Sequence, residues 1–450
     1  MGFSKNKKEI LACSLNYNYC AYGLTDNIFT RICYCTLYIF HFLGMKLNFN
    51  FIARIIFINL FLFVGMIEIS LRMIKRGSPT YSEYVGLSNS GYYLPSKENT
   101  FKLIPNYKGT EKNQDWNLPG EPKTVEISTD KKGFRSTIEM KEECKLNSFK
   151  TFLSLGDSYT FGVYLRDKDT YPSKFQYQSN NENKCFKVIN AGYANGHETD
   201  QIYSWLTQNI KEIKPDYIIY NVFAGNDILS INPKFWTKKD NKGLPINWQN
   251  NNIKVQRGFL RNKNSKPPLK VYYIPILRES KLLVNLENQF NILFTRLVRK
   301  KESGFNSSAF AHLYGIRNLT NINEKEEIFF KLIKGMDQLS QENKSKFFTV
   351  YMPANFEVYP QLFNKVAPTS IHIKDSMLPI NYGNYLCNII QNNMNINCFN
   401  ITNEMINSKR IKSQSFSRNF LYPSHGEIHM SKSGAEFTAR RVYNWIIKKI

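Results

Sequence analysis

The chain has 450 residues, more than one typical domain needs, and carries 60 Lys and Arg against 36 Asp and Glu, a formal net charge of +24. Such a surface suits anionic glycans, lipid headgroups or nucleic acid. The basic residues are scattered rather than gathered in one run, and no nucleic-acid module stands out, so nucleic-acid binding is set aside. The abundance of Lys, Asn and Ile reads as the composition of an AT-rich coding sequence.

An apolar stretch, Ile28 to Gly44, contains Arg31 and His41. We read residues 1–48 as an extension upstream of a start at Met45; the alternative is a second membrane helix. Residues 49–72 form the main apolar run, about one bilayer thickness long, with Arg54 and Glu68 near its ends and Asn59 inside. No small-residue cleavage pattern follows, so it reads as an uncleaved single-pass anchor. Basic residues flank it on both sides (Lys46 and Arg54; Arg72, Lys75 and Arg76), and the positive-inside rule does not set its orientation.

Residues 73–125 are rich in Ser, Tyr, Pro, Gly and Lys and read as a linker and lead-in with little regular structure. A short strand and turn, Ile127 to Arg135, follows. The remainder, residues 126–450, is predicted to be an α/β domain: a three-layer α/β/α sandwich around a five-stranded parallel sheet. Its strands fall near 151–155, 187–191, 217–223, 347–352 and 397–401, and their continuous apolar character suits strands covered on both faces. Ile328, Leu332, Met336 and Leu339 share one helix face, as do Ala435, Thr438, Ala439, Val442, Trp445 and Ile446 in a last helix capped by Ser431. Between the third and fourth strands lies an insertion, about residues 229–320. Its first part reads as an extended loop or hairpin and its second, Ser280 to Lys300, as an amphipathic helix. We read the whole as a cap over the sheet edge.

Cysteines add a hint about compartment. Cys144 and Cys185 each precede one of two neighbouring strands, and Cys387 and Cys398 bracket a short helix-to-strand connection. Both pairs suit disulfides of an exported domain; the alternative is four reduced thiols. The Cys and His spacings suggest no metal site, and no phosphate loop appears, so no cofactor is expected.

Chemistry concentrates where strands end. Gly156-Asp157-Ser158 follows the run Thr151–Leu155, Asn190-Ala191-Gly192 ends the second run, Gly225-Asn226-Asp227 ends the third, and Glu427-Ile428-His429 opens the last helix. A serine just past a strand sits at the carboxyl edge of a parallel sheet, where open α/β folds keep their sites. Free N–H groups at a helix start favour developing negative charge there. This ordered Ser, Gly, Asn and His resembles the four sequence blocks of the SGNH (GDSL-type) hydrolase superfamily over roughly residues 125 to 450. The segment ending Gly133-Phe134-Arg135 is similar to one preceding the nucleophile in membrane-linked bacterial members.

The resemblance implies a flavodoxin-like sheet and an esterase or O-acyltransferase acting on glycans or lipids of the envelope. Ser158 would be the nucleophile, His429 the base and Glu427 the acid, two residues before the histidine as in alginate acetylation proteins; the commoner position, three before, is Gly426. The oxyanion donors would be the Ser158 and Gly192 N–H groups and the Asn226 side chain, with Gly196 replacing Gly192 if the second strand ends later. Asp157 and Asp227 would brace turns. The catalytic domain would lie on the extracytoplasmic side. A non-catalytic binding or scaffold protein retaining the fold, and a lipase acting on the membrane itself, are the competing readings.

Overall fold

The computed structural model describes residues 49–74, 80, 91–112, 124–146, 148–194, 197–223, 225–256, 258–263, 269–298, 313, 322–359, 380–408, 420–422 and 428–450. The expectations on residues 1–48 lie outside these. The chain divides into two compact units, one holding the N-terminal helix with Leu269–Gln289, the other Ser82–Pro268 with Phe290–Ile450.

Helix α1 spans Phe49–Ile74. Its segment Ala53–Ile74 has 22 residues, long and apolar enough to cross a membrane. At 1.5 Å per residue that is about 33 Å. Phe57, Phe61 and Leu62 are exposed, and Asn59 is satisfied within the helix, its Nδ2 donating to the Ile55 carbonyl at 2.9 Å.

The second unit is built on β1 (Lys150–Gly156), α2 (Ser158–Phe161), α3 (Tyr171–Asn181), β2 (Phe186–Gly192), α4 (Thr199–Ile213) and β3 (Tyr217–Val222). Helix α5 (Lys281–Val298) lies in the insertion. Then come α6 (Ile322–Glu342), β4 (Lys346–Tyr351), α7 (Tyr382–Met394), β5 (Asn397–Asn400) and α8 (Lys432–Ile447). All five strands are parallel, in the order β5-β4-β3-β1-β2. This is the doubly wound α/β arrangement, in which the chain starts near the middle, winds outward one way, then reverses. The reversal falls between β1 and β3, so the carboxyl ends of those strands open a crevice, and Ser158 follows β1 directly.

The sheet is buried on both faces. Phe152, Leu153, Leu155, Ile218, Tyr220, Phe348 and Val350 are fully enclosed. Leu332 and Met336 of α6 and Ala439, Val442 and Ile446 of α8 complete the layers. The Ser431 hydroxyl caps α8 by accepting from the Gly434 N–H at 3.1 Å. Disulfides Cys144–Cys185 and Cys387–Cys398 join the flanks of β1 and β2 and of α7 and β5, with Cα separations of 5.1 and 5.2 Å.

Residues 91–112 differ from the expected irregular lead-in. Tyr93–Ser96 pairs with Thr100–Leu103, and Lys108–Lys112 with Thr124–Ser128, both antiparallel. These strands are only four or five residues long, so alternation is too brief to read from sequence; distant segments bond to their backbone. Tyr93 N–H donates to the Gly258 carbonyl at 2.9 Å, and Trp248 N–H to that of Glu98 at 2.9 Å. The insertion opens with two hairpins, Trp236–Lys239 with Pro245–Trp248 and Ile253–Gln256 with Phe259–Asn262. The first is fastened to α4, where Asp200 accepts from the Trp236 indole at 2.6 Å and Ser204 donates to the Ile246 carbonyl at 2.7 Å.

Candidate active site

The turn between β1 and α2 is set by its residues. The Asp157 side chain accepts from the Tyr159 N–H at 2.9 Å, opening the helix. Gly162 ends it in the left-handed conformation, φ 78°, a geometry that favours glycine. Behind the turn, the buried Asn221 amide lies 2.9 Å from Thr160 Oγ1, 2.9 Å from the Leu155 carbonyl and 3.0 Å from Ser154 Oγ. It ties β3 to β1 and α2, so the serine rests on a hydrogen-bonded floor.

His429 arrives from the loop before α8. Its Nε2 lies 2.8 Å from Ser158 Oγ, and both residues are half-buried. The loop is pinned on both sides of the imidazole. Tyr159 OH donates to the Ile428 carbonyl, and Ser431 N–H donates to that of Leu421 at 2.9 Å. The ring of Tyr159 lies 5.5 Å from the imidazole and that of Tyr164 6.1 Å away, edge-on.

Asn226 lies in the turn after β3 and its Nδ2 donates to Asp157 Oδ2 at 3.2 Å, which brings the amide beside the nucleophile turn. Strand β2 runs through Gly192, which is paired with Gly156 and whose N–H donates to Asn190 Oδ1 at 3.0 Å. That N–H is engaged by the Asn190 side chain at its own strand end. A Cβ at 192 would sit 2.2 Å from the Phe161 nitrogen, so glycine here allows α2 to lie on β2. Gly196, His425, Gly426 and Glu427 lie outside the described residues.

Sequence reading placed Asp157 and Asp227 as turn braces but singled out neither Glu198 nor the burial of the three acids beneath the site. Burial raises the carboxyls of Asp227 and Glu198 well above their ordinary range, and the charge of Asp157 adds to the effect on both. Asp157 is itself raised by burial, but the Tyr159 N–H, the nearby imidazole and the Asn226 amide pull it back. Of the three it is therefore the acid best placed to hold charge, next to His429. Asp227 accepts from the Phe223 N–H at 2.8 Å and fixes the turn that carries Asn226. The segment ending Gly133-Phe134-Arg135 also reaches the site's support. Buried Arg135 stacks 4.5 Å over the Phe161 ring and pairs with Asp167 at 2.8 Å.

A serine–histidine pair at the carboxyl edge of a parallel sheet is an arrangement suited to nucleophilic catalysis. No family model matches the sequence, and no curated protein matches it. Among solved structures the chain is similar to TesA, at 10% identity and TM-score 0.34 over 67% of this chain and 100% of that one. It is similar to the acetyl xylan esterase AlAXEase, at 11% identity and TM-score 0.35 over 66% and 99%. It is also similar to a GDSL-like lipase from Bacteroides thetaiotaomicron VPI-5482, at 13% identity and TM-score 0.31 over 68% and 95%. At these identities the likeness concerns the fold alone, and the reading of the site stands on its own geometry.

Proposed function

We propose that this protein is a membrane-anchored SGNH-type serine esterase or O-acyltransferase acting through an acyl-Ser158 intermediate on acyl groups of envelope carbohydrate or lipid. The observation that carries the reading is the 2.8 Å separation of His429 Nε2 and Ser158 Oγ. A serine hydroxyl is a weak nucleophile until an adjacent base takes its proton. In this scheme Ser158 Oγ attacks the ester carbonyl while its proton passes to His429 Nε2. The Ser158 N–H and the Asn226 amide hold the oxyanion. The imidazolium then returns the proton to the departing alkoxide, leaving acyl-serine and a free alcohol. Water or a sugar hydroxyl next gives its proton to His429 and takes the acyl group, and Ser158 recovers its proton. Glu427 is assigned to orient the imidazole.

Helix α1 supports the anchor, and the two disulfides support an oxidising, extracytoplasmic location. The test is hydrolysis of 4-nitrophenyl acetate by the wild type and by Ser158→Ala and His429→Ala, with an active-site serine probe as a second readout. Turnover and labelling confined to the wild type are expected. Equal rates in wild type and Ser158→Ala would remove the serine from the mechanism and favour a binding or scaffold role. Adding a sugar acceptor then divides esterase from transferase, by whether acylated sugar accumulates.

A further inference from the structure

Helix α5 presents two unlike sides. Lys281 and Val284 are buried, at 4% and 0% exposure. Leu286, Phe290, Leu293 and Phe294 are 54–67% exposed. Spaced at i, i+4, i+7 and i+8, these four fall on one stripe. The rings of Phe290 and Phe294 stack at 6.4 Å along it. The turn leading into the helix adds Ile274, Ile276 and Leu277, also exposed. Isolated exposed apolar residues are ordinary, but eight on one helix and its lead-in, counting Ile292 off the stripe, are not.

The start of α5 is tied to the last turns of α1. Glu68 accepts from the N–H groups of Lys281 and Leu282, both at 2.8 Å, and from Ser280 Oγ at 3.1 Å. Arg72 pairs with Glu68 at 2.7 Å and donates to the Glu279 carbonyl. A carboxylate on two free N–H groups is a favourable helix cap. From Phe49 to Glu68 the helix rises about 29 Å, close to a hydrocarbon layer of about 30 Å, so Glu68 and the start of the helix it caps fall at headgroup level.

We propose that α5 lies in the bilayer interface as an in-plane amphipathic helix, with Leu286, Phe290, Leu293 and Phe294 facing the acyl chains. The proposal rests on the anchored reading above. By sequence alone, Arg296, Arg299, Lys300 and Lys301 form a basic run that suits anionic headgroups. Asn285, Asn288 and Asn291 supply the polar flank.

The test places the full chain in vesicles of phosphatidylcholine and phosphatidylglycerol, with and without brominated acyl chains. Phe290→Trp and Phe294→Trp are each compared with the parent, whose five tryptophans give the background. Asn291→Trp is the polar-flank control. The expected result is flotation with the vesicles, loss of most of the added emission at 290 and 294 with brominated lipid, and little loss at 291. A floating protein whose added emission at 290 is unquenched overturns the proposal and leaves the anchor standing. Blue-shifted, unquenched emission there means that protein covers the stripe, a second copy included, and overturns it too. Equal quenching at 290 and 291 overturns the in-plane geometry. Failure to float removes the anchor and this inference together.

Discussion

The hydroxyl of Tyr159 donates to the carbonyl of Ile428, so the residue after the candidate nucleophile holds the residue before the candidate base. The tie closes a bridge between the tip of β1 and the loop before α8, elements far apart in the chain. The Tyr159 ring is fixed from its other face by Phe223, stacked at 4.5 Å. Tyr159→Phe keeps the stack and deletes the tie. Losing one such bond costs roughly 1 kcal/mol, so kcat is expected to fall by about fivefold to tenfold with KM little changed. Steady-state kinetics on a short-chain ester give the answer; an unchanged kcat would show that the loop holds His429 without help.

With the Gly192 N–H engaged by Asn190, Asn226 bears more of the proposed oxyanion role. Asn226→Ala is expected to lower kcat by about 10²–10³-fold, the usual effect of deleting one such donor, with little change in KM. Asn226→Asp should be worse, because it sets a second carboxylate against Asp157, now an acceptor of the amide at 3.2 Å. A loss confined to KM would instead assign the residue to ground-state binding.

Gly192 makes a structural prediction in place of a chemical one. The Cβ of Gly192→Ala would meet the Phe161 nitrogen at 2.2 Å and the Thr160 carbonyl carbon at 2.7 Å. Both are backbone atoms, so α2 must shift and carry Ser158 away from His429. The expected outcome is a lowered thermal midpoint together with lost serine-probe labelling; wild-type labelling would mean that β2 yields instead.

How far these relationships were legible depends on where the forces act. Three of the four blocks sit at strand ends and the fourth opens the last helix; the sheet followed from largely apolar runs bounded by turns, whereas the pairing of Ser158 with His429 was what the resemblance implied. Asn221 was in view as one polar residue in an apolar run, but its partners, Ser154, Leu155 and Thr160, are distant in sequence. Gly192 was assigned by its block, whereas its actual contact is a close approach of α2 that only packing reveals. The acids Asp157, Glu198 and Asp227 look like turn residues, and their burial together depends on three separate loops. The strands between residues 91 and 112 were hidden because they are short and bond to hairpins about 150 residues later.

The disulfides give a stability test ordered by loop length. In the chain-entropy account, closing the 41-residue loop of Cys144–Cys185 contributes about 4 kcal/mol and the 11-residue loop of Cys387–Cys398 about 3 kcal/mol. The paired changes Cys144→Ser/Cys185→Ser and Cys387→Ser/Cys398→Ser should lower denaturant stability in that order. Reduction of the wild type should lower it by more than either pair. Insensitivity to reductant would argue that the thiols are not bridged in the native protein.

Glu357 supplies a pH signature. It lies on the short helix Asn355–Val358, buried, with its carboxyl accepting from Tyr351 OH at 2.8 Å and from the Ala354 N–H at 2.7 Å. The neighbouring Pro353 carbonyl receives the Tyr422 hydroxyl, so the acid supports a junction close to the site. Burial raises this carboxyl from 4.5 to about 7, the two hydrogen bonds opposing the shift. Between those values the folded chain holds a proton that the unfolded chain has released. Stability is therefore fully present below pH 4.5 and declines as pH rises through about 7, by on the order of 3 kcal/mol from this group. Glu357→Gln keeps the shape and removes the titration, so its denaturation midpoint should fall less than the wild type's between pH 5 and 8. Parallel pH profiles for the two proteins would mean that Glu357 is already ionised in the fold, its charge carried by Tyr351 and the Ala354 amide.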